Sequence, residues 1–276
     1  MYACRDYYDS KRCKGENPMN KLFLPNQIKK HISGMEYEQN NVGCSQTGVY
    51  KFFTATQVLY LKVEPKSGEL ETEHRNMLWL QGKLPIPRII EWVSENNVDY
   101  LLISEIGGKM LCDDFYLKNP ALAVSLLAKG INLLKSVAIN GCPINNGLHK
   151  KLNDAAENIR LDRVDMNDWE TSSNGFSSPQ DLLDFLNSNI PKNEELVFTH
   201  GDYCPQNIFA DNDRLTGFID IGRAGVADLW QDVALCIRSL WHNFNTKEYD
   251  DLLLKQIGIP LNKEKLDYYI LLDELF

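Results

Sequence analysis

Three side chains with the types needed for phosphoryl transfer lie close together in VFTHGDYCPQNIFADNDRLTGFIDIGRAG, residues 197–225: Asp202, Asn207 and Asp220. Asp202 precedes Asn207 by five positions, and Asp220 follows on a predicted hairpin. In such chemistry one carboxylate orients a hydroxyl and accepts its proton, while an amide oxygen and a second carboxylate hold Mg²⁺ against nucleotide phosphates. The order and spacing therefore predict a phosphoryl-transfer site with Asp202 as the base.

A lysine and a glutamate upstream of this stretch complement it. Lys62 lies in the predicted strand LYLKV, where alternation places it on the same face as Tyr60. Glu73 falls on the apolar stripe of the next predicted helix, where a carboxylate is costly unless paired. Either residue alone would indicate an ordinary surface charge. Together they predict an ion pair that directs the Lys62 ammonium at phosphates.

Residues around Asp202 are expected to support the loop rather than react. We expect His200 to brace it and Asp232 to bond its backbone or His200 from behind. Asp228 is expected to cap a helix or lie at the surface, and Arg223 could bind a phosphate or pair with an acid. A two-metal phosphatase is disfavoured, because the other histidines fall in no ligand spacing.

The turn GCSQTG, residues 43–48, offers a hydroxyl and backbone N–H groups that could hold a phosphate. It lacks the Lys-Ser or Lys-Thr pair of a Walker A loop and also lacks the protein-kinase GxGxxG spacing. An ordinary hairpin turn explains it equally well.

Hydrophobic periodicity divides the chain into a sheet-rich part and a helix-rich part. Residues 20–104 are predicted to form a small sheet with one helix, and the short stretch 104–108 indicates a linker. The predicted strands here are 48–53, 58–63, 88–93 and 98–103, and the helix is 68–83. Residues 105–276 are predicted to be mostly helical, with helices 121–138, 148–161, 179–186, 227–241, 246–257 and 262–275 and strands 196–199, 208–210 and 216–219.

This arrangement predicts an α+β protein with a polar extension at 1–19, a nucleotide-binding unit at 20–104 and a catalytic unit at 105–276. A ligand is expected in a cleft between the two units.

Charge is unevenly distributed along the 276 residues. The formal net charge is −9, made of about +2 for residues 1–159 and −11 for residues 160–276. An acidic half argues against a nucleic-acid partner and favours a cationic small molecule. A solvated acidic surface would produce the same numbers, so charge alone does not decide.

The remaining features predict a cytoplasmic protein without a membrane partner. No apolar run approaches the roughly 20 residues that span a bilayer, and the N-terminus lacks the apolar core of a signal peptide. The seven cysteines match neither a zinc site nor a disulfide scaffold, so reduced thiols are expected. We expect a monomer or weak dimer.

With these motifs in view, the chain resembles the aminoglycoside 3′-phosphotransferases, which are antibiotic-resistance kinases. The resemblance runs from about residue 22 to residue 276 and is most specific in HGDYCPQN, GFIDIGRAGVADLWQDVAL and the terminus YYILLDELF. It implies a two-lobed protein-kinase-like fold, with a small antiparallel sheet and one helix, a hinge and a larger helix-rich lobe. It also implies transfer of the γ-phosphate of ATP or GTP to a 3′-hydroxyl of the antibiotic.

The resemblance assigns roles to individual residues. Asp202 matches the catalytic base, Asn207 and Asp220 the Mg²⁺ ligands, and Lys62 with Glu73 the phosphate-positioning pair.

Further nucleotide contacts are implied for Ser45 in the phosphate loop, for Tyr60 against the nucleobase, and for Ser104 and Ile106 at the hinge.

For the antibiotic, the resemblance implies acidic groups in the second unit and at the chain's end. These are Glu170, Glu274 and the Phe276 carboxylate, with Asp168 and Arg223 as further candidates. A kinase of another small hydroxyl compound, such as a macrolide, choline or homoserine, is the alternative enzyme. A non-catalytic nucleotide-binding regulator is the alternative outside enzymes.

Overall fold

The computed structural model describes residues 24–40, 48–166, 169 and 175–276. The chain divides into two compact units. The first runs to Gly108 and also includes Thr216–Gly222, and the second comprises Lys109–Leu215 and Arg223–Phe276. The predicted extension at 1–19 lies outside the described residues.

The first unit is built on an antiparallel sheet whose strands have the spatial order β1-β2-β3-β5-β4. Its elements are α1 (Asn26–Ile32), β1 (Glu36–Asn40), β2 (Gly48–Phe53), β3 (Val58–Pro65), α2 (Glu69–Leu80), β4 (Ile89–Glu95) and β5 (Val98–Ser104). Asn96 and Asn97 join β4 to β5 with φ of 52° and 62°. A two-residue hairpin turn needs this left-handed backbone, and asparagine tolerates it.

Strand β3 separates an apolar face from a polar one by simple alternation. Leu59, Leu61 and Val63 are buried and belong to a core that also contains Ile28 of α1. Lys62 lies on the opposite face, beside Leu101 of β5 in the register. The predicted faces of β3 are therefore confirmed.

Helix α2 packs against β4 and β5. Its buried residues are Leu70, Glu73, Asn76, Met77 and Leu80, which recur at the helical spacing of three and four. Two of the five are polar, so this helix brings polar groups to a buried face as well as apolar contacts.

The second unit holds the remaining elements. These are β6 (Lys109–Met110), α3 (Asp114–Leu117), α4 (Pro120–Lys135), α5 (Leu148–Arg160), α6 (Pro179–Ser188), β7 (Leu196–Thr199), β8 (Ile208–Asp211), β10 (Gly225–Asp228), α7 (Leu229–Phe244), α8 (Asp250–Ile257) and α9 (Lys263–Asp273). Strand β9 (Arg214–Phe218) carries the chain from the second unit back into the first. Helix α7 is buried along most of its length and packs against α9.

The start of α7 differs from the prediction. Residues 225–228 form β10, which pairs antiparallel with β7, and the helix begins only at Leu229. Asp228 caps the helix by accepting from Trp230 N at 3.0 Å, but it is fully buried and paired with Lys265. The predicted cap is confirmed, and a surface position for Asp228 is wrong.

Within the described part of the chain, none of the helices is long and apolar enough to cross a membrane.

Candidate active site

Asp202 and Asn207 form one hydrogen-bonded unit after the end of β7. A short 3₁₀ turn, Pro205–Asn207, brings the amide back to the aspartate. Asn207 Nδ2 donates to Asp202 Oδ2 and to the Asp202 carbonyl, each at 3.0 Å. Asn207 is buried, whereas Asp202 is partly exposed. The amide N–H₂ therefore fixes the carboxylate, and these two bonds do not use Asn207 Oδ1.

Asp232 holds the backbone that leads into Asp202. Its two carboxylate oxygens accept from His200 N at 2.6 Å and from Gly201 N at 2.9 Å. His200 Nδ1 in turn accepts from Asp202 N at 3.3 Å, and Tyr203 Oη donates to the Leu127 carbonyl of α4 at 2.7 Å. Burial raises the pKa of Asp232, although both backbone N–H groups oppose the shift. The predicted support from Asp232 is confirmed.

Gly201 sits where no side chain would fit. Its φ is +82°, and a Cβ at this position would lie 1.8 Å from the Arg223 carbonyl oxygen. Asn146 donates its Nδ2 to the same carbonyl. The glycine before Asp202 therefore permits the close approach of the Arg223 peptide.

In the first unit, Lys62 is held between two carboxylates. Its Nζ donates to Glu73 Oε1 at 2.7 Å and to Oε2 at 2.8 Å, and it also bonds Asp220 Oδ1. The predicted Lys62–Glu73 pair is present. Burial would lower the pKa of Lys62, but the two adjacent carboxylates outweigh it and raise the pKa above its ordinary value. The ammonium is therefore charged over the whole physiological range.

Asp220 adopts a backbone conformation that few side chains tolerate. Its φ is +56° and its side chain is 48% exposed. Asn76 of α2 donates its Nδ2 to the carbonyls of Ile221 at 2.9 Å and Gly222 at 3.1 Å. A Cβ on Gly222 would lie 3.5 Å from that of Glu73. Helix α2 therefore holds the segment after Asp220 directly against itself.

The residues matched to the nucleobase lie along β3 and at the end of β5. Tyr60 is half-buried on the same face of β3 as Lys62. Ser104 ends β5, where its Oγ accepts from Arg88 N at 2.9 Å, and Ile106 follows two residues later. Gly217 permits close packing here, because a Cβ on it would lie 2.7 Å from the Pro85 carbonyl oxygen. Ser45 lies outside the described residues.

In the second unit, charged side chains are grouped around the last residues of the sequence. Arg238 of α7 pairs with Asp273 and with Glu274 Oε1, the latter at 2.8 Å. Asn158 Nδ2 donates to the Leu275 carbonyl at 2.9 Å. The Phe276 ring lies 5.4 Å from Arg223 Cζ, so the last residue is seated against the segment that follows Asp220 in sequence.

Of the remaining predicted substrate residues, Asp168 and Glu170 lie outside the described part of the chain. Trp169 between them is buried, and its Nε1 donates to the Phe176 carbonyl at 2.9 Å. Among the described residues, no three His, Cys, Asp or Glu side chains are grouped as a metal site.

Three polar residues around these groups were not predicted: Asn76, Lys151 and Arg238. Asn76 and Lys151 are polar side chains on otherwise apolar helical stripes, the same signal that identified Glu73. Lys151 shares its buried face of α5 with Leu148, Leu152 and Ala155. Arg238 could have been found from the acidic residues near the end of the sequence, because buried carboxylates need a cation as partner.

The fold and the site groups define a class of protein. A sequence model described as the phosphotransferase enzyme family matches residues 36–268. In the solved structures, this chain is similar to an aminoglycoside 3′-phosphotransferase of type VIII, with a TM-score of 0.79 and 28% identity over 90% of this chain and 96% of that one. The class is a phosphotransferase with a protein-kinase-like fold.

Sequence comparison narrows the class. An aminoglycoside 3′-phosphotransferase of Enterococcus faecalis is 38% identical over 94% of this chain and the whole of its own length. The chain belongs to the phosphotransferase enzyme family and, within it, to the aminoglycoside 3′-phosphotransferases. An aminoglycoside phosphotransferase of Streptomyces rimosus, solved in complex with ADP and streptomycin, shares the fold at 22% identity, with a TM-score of 0.75 over 90% of this chain and 96% of that one.

Proposed function

We propose that this protein transfers the γ-phosphate of a nucleoside triphosphate to the 3′-hydroxyl of an aminoglycoside. The observation that carries the proposal is the buried Lys62 ammonium held by both Glu73 and Asp220. Family membership supports it, since the relative that is 38% identical over 94% of this chain carries that activity in its name.

Lys62 would bind phosphate oxygens of the nucleotide. Glu73 fixes the ammonium with two hydrogen bonds of 2.7 and 2.8 Å, so the charge is positioned before the nucleotide arrives. Such preorganisation avoids the cost of ordering a long lysine side chain on binding. Because the ammonium is charged at neutral pH, it stabilises negative charge that develops on the leaving phosphate.

Asn207 and Asp220 would hold Mg²⁺. Each fits the role by itself: Asn207 bonds Asp202 through Nδ2 and not through Oδ1, and Asp220 offers a half-exposed carboxylate. Amide and carboxylate oxygens are the ligands that this hard cation prefers. When bound, Mg²⁺ neutralises charge on the phosphate oxygens.

Asp202 would orient the acceptor hydroxyl and take its proton. The bond between the γ-phosphorus and the β–γ bridging oxygen breaks, a bond from the 3′-oxygen to that phosphorus forms, and the hydroxyl proton passes to the Asp202 carboxylate. Asn207 Nδ2 holds Asp202 Oδ2 at 3.0 Å, and Oδ1 is then the oxygen that faces the acceptor. Asp232 and His200 keep the loop backbone in that position.

The antibiotic would bind through its ammonium groups. Glu274, the Phe276 carboxylate, Glu170 and Asp168 are the proposed acidic partners, with Arg223 beside them. Residues 160–276 carry a net charge of about −11, which favours a polycation. Glu274 is already shared with Arg238, so a substrate ammonium at this carboxylate must tolerate or displace a guanidinium.

The nucleotide is proposed to be ATP or GTP. Ser45 would contact the phosphates, Tyr60 would stack on the base, and Ser104 and Ile106 would contact its edge through the backbone. Because these nucleotides are abundant in the cytoplasm, we propose that the protein acts there, as a monomer or weak dimer.

The deciding experiment is mass spectrometry of kanamycin after incubation with the purified protein, Mg²⁺ and ATP or GTP, followed by location of the phosphate by NMR. We expect one phosphate on the 3′-oxygen. Phosphorylation at another oxygen would contradict the regiochemistry. Absence of product with both nucleotides, alongside measurable nucleotide binding, would contradict the acceptor class.

A further inference from the structure

Lys151 is a buried cation that the chemistry described above does not use. It lies on α5 and is only 4% exposed. The contacts of its Nζ are a carbonyl and an aromatic face: Gly201 O lies at 3.3 Å, and the centroid of the Phe276 ring lies at 4.9 Å. Neither partner is a carboxylate.

A buried ammonium with such partners is costly to keep. Burial lowers the pKa of Lys151, and the field of Asp273 only partly opposes this. The other charged groups that act on it are Arg223, Asp202 and Asp232. An apolar side chain would fill this face of α5 at less cost, so the position favours a role for the charge itself.

One role is at the peptide that precedes Asp202. The N–H of Gly201 donates to Asp232 Oδ1 at 2.9 Å, while the Gly201 carbonyl accepts from Lys151. A buried acid and a buried base therefore hold the two ends of the residue next to the proposed catalytic base. Rotation of the His200–Gly201 peptide would break the contact with Asp232, and rotation of the Gly201–Asp202 peptide would break the contact with Lys151.

The other role is at the end of the chain. The Phe276 ring contacts Lys151 at 4.9 Å and Arg223 at 5.4 Å, so two cations lie against one aromatic side chain. Cations within about 6 Å of a ring centroid are attracted by its face. Asn158 secures the preceding Leu275 carbonyl. Seating the Phe276 ring also places the carboxylate that is proposed above as an acidic partner of the antibiotic.

We propose that Lys151 is a positioning residue that ties the last residue of the chain to the catalytic loop through a single ammonium. One group seats the Phe276 ring and orients the Gly201 peptide, so the terminal carboxylate and Asp202 are held in one fixed geometry. The inference rests on the proposed function, in which these two groups face the acceptor. It adds the physical connection between them.

The test uses four single variants of the full chain and the double variant that combines Lys151→Met with Phe276→Leu. Lys151→Met keeps the length and removes the charge, and Lys151→Arg keeps the charge and the affinity for a ring. Phe276→Leu removes the ring and keeps the carboxylate. Lys150→Met is the matched control, because the Lys150 ammonium is half-exposed and pairs with Asp154 on the same helix.

The first readout is steady-state kinetics, which measures kcat and the KM of each of the two substrates separately. We expect Lys151→Met to lower kcat at least about tenfold while the nucleotide KM stays within about twofold, and Lys151→Arg to recover part of the loss. In the double variant, the fold-loss in kcat should be smaller than the product of the losses in Lys151→Met and Phe276→Leu, because both substitutions break the same contact between Lys151 and the Phe276 ring. A purely structural role would raise both KM values and lower the melting temperature without this pattern.

The second readout does not depend on activity. Carboxypeptidase A removes an accessible aromatic residue from a chain terminus, and mass spectrometry follows the loss of Phe276. We expect release to be about tenfold faster from Lys151→Met than from the wild type, since the population of the open terminus rises. Release from Lys150→Met should match the wild type. If kanamycin is not a substrate, this readout still decides the seating of the terminus.

Three outcomes would overturn the inference. One is a wild-type kcat in folded Lys151→Met, and another is strictly multiplicative losses in the double variant. The third is unchanged release of Phe276. Should Lys151→Met fail to fold, Phe276→Leu decides the question. An unchanged kcat in that variant would show that the Phe276 ring does not affect the loop that carries Asp202.

Discussion

Lys62 Nζ lies 2.7 Å from Oε1 and 2.8 Å from Oε2 of Glu73, which joins the middle strand of the sheet to the helix packed on it. The same ammonium bonds Asp220, whose backbone is held by that helix through Asn76. A lysine, a glutamate and an aspartate from three parts of the sequence thus form one charged unit.

Replacing Lys62 with methionine should impair the nucleotide step most. Without the ammonium, Glu73 and Asp220 repel each other and lose their common partner, so kcat/KM for the nucleotide should fall by about 10- to 100-fold. Steady-state kinetics with both substrates varied would measure this. Lys66→Met, at an exposed position just after β3, is the control and should match the wild type. An acceptor KM that rises as much as the nucleotide KM would argue against the assignment.

Asp202→Ala should abolish transfer without releasing the nucleotide. General-base groups contribute about 10²- to 10⁴-fold in rate, and Asp202 also fixes the amide of Asn207. Single-turnover phosphorylation of kanamycin and calorimetric titration with ADP would separate the two effects. Asp211→Ala, an exposed aspartate at the end of β8, serves as the control. Near-wild-type turnover of Asp202→Ala would exclude it as the base.

Asn76→Leu should loosen the segment that carries Asp220. The substitution keeps the volume but leaves the Ile221 and Gly222 carbonyls without the donor, at a cost of about 1–3 kcal/mol in the free energy of unfolding. Because Asp220 is a proposed Mg²⁺ ligand, the Mg²⁺ concentration for half-maximal activity should rise. The stabilisation of the protein by Mg²⁺ and ADP in thermal melts should also shrink.

Gln81→Leu is the control for Asn76→Leu, since Gln81 follows the same helix and also donates to a backbone carbonyl, that of Pro87 at 2.9 Å. It is exposed, so its loss should cost less, and it should leave the Mg²⁺ requirement unchanged. Equal Mg²⁺ requirements in both variants would contradict a specific role for Asn76.

The pair of Asp273 and Arg238 should make stability depend on pH on the acid side. Burial raises the pKa of Asp273, but Arg238, together with Lys151 and Arg223, outweighs burial and holds the pKa below its ordinary value of 3.8. The carboxylate therefore stabilises the fold above about pH 4, and this contribution is lost as the pH falls below that value. Urea unfolding of the wild type and Asp273→Asn between pH 3 and pH 7 would measure it.

We expect Asp273→Asn to be about 2 kcal/mol less stable than the wild type at pH 6, and the difference to shrink as the pH falls below about 4. Asp267→Asn is a suitable control, since its side chain is half-exposed and pairs with Lys263 on one helix. A difference between wild type and Asp273→Asn that stays constant with pH would mean that charge is not its cause.

Much of the fold followed from local patterns. Alternation placed Lys62 on the face opposite Leu61, and the helical stripe placed Glu73 beside Met77, so their ion pair could be predicted without coordinates. Helix α1 and strand β1 were not predicted, because α1 is only seven residues long and the β1 sequence EYEQN lacks an alternation of apolar and polar residues.

Other features depend on contacts between distant parts of the chain. The predicted helix began at residue 227, yet residues 225–228 form β10 because β7 offers a partner strand about thirty residues earlier. The assignment of Thr216–Gly222 to the first unit likewise has no local signal.

Residue types and spacing were sufficient to identify the chemistry of this protein: two aspartates, an asparagine, and a lysine paired with a glutamate specify phosphoryl transfer. Periodicity also predicted which face of each strand or helix is buried, because a regular element buries one whole face. The fold alone assigned the partners of single polar groups, such as Asn76 to the Gly222 carbonyl and Lys151 to Phe276. A buried polar group must find its partner wherever the packed chain brings one, and that position is not encoded in neighbouring residues.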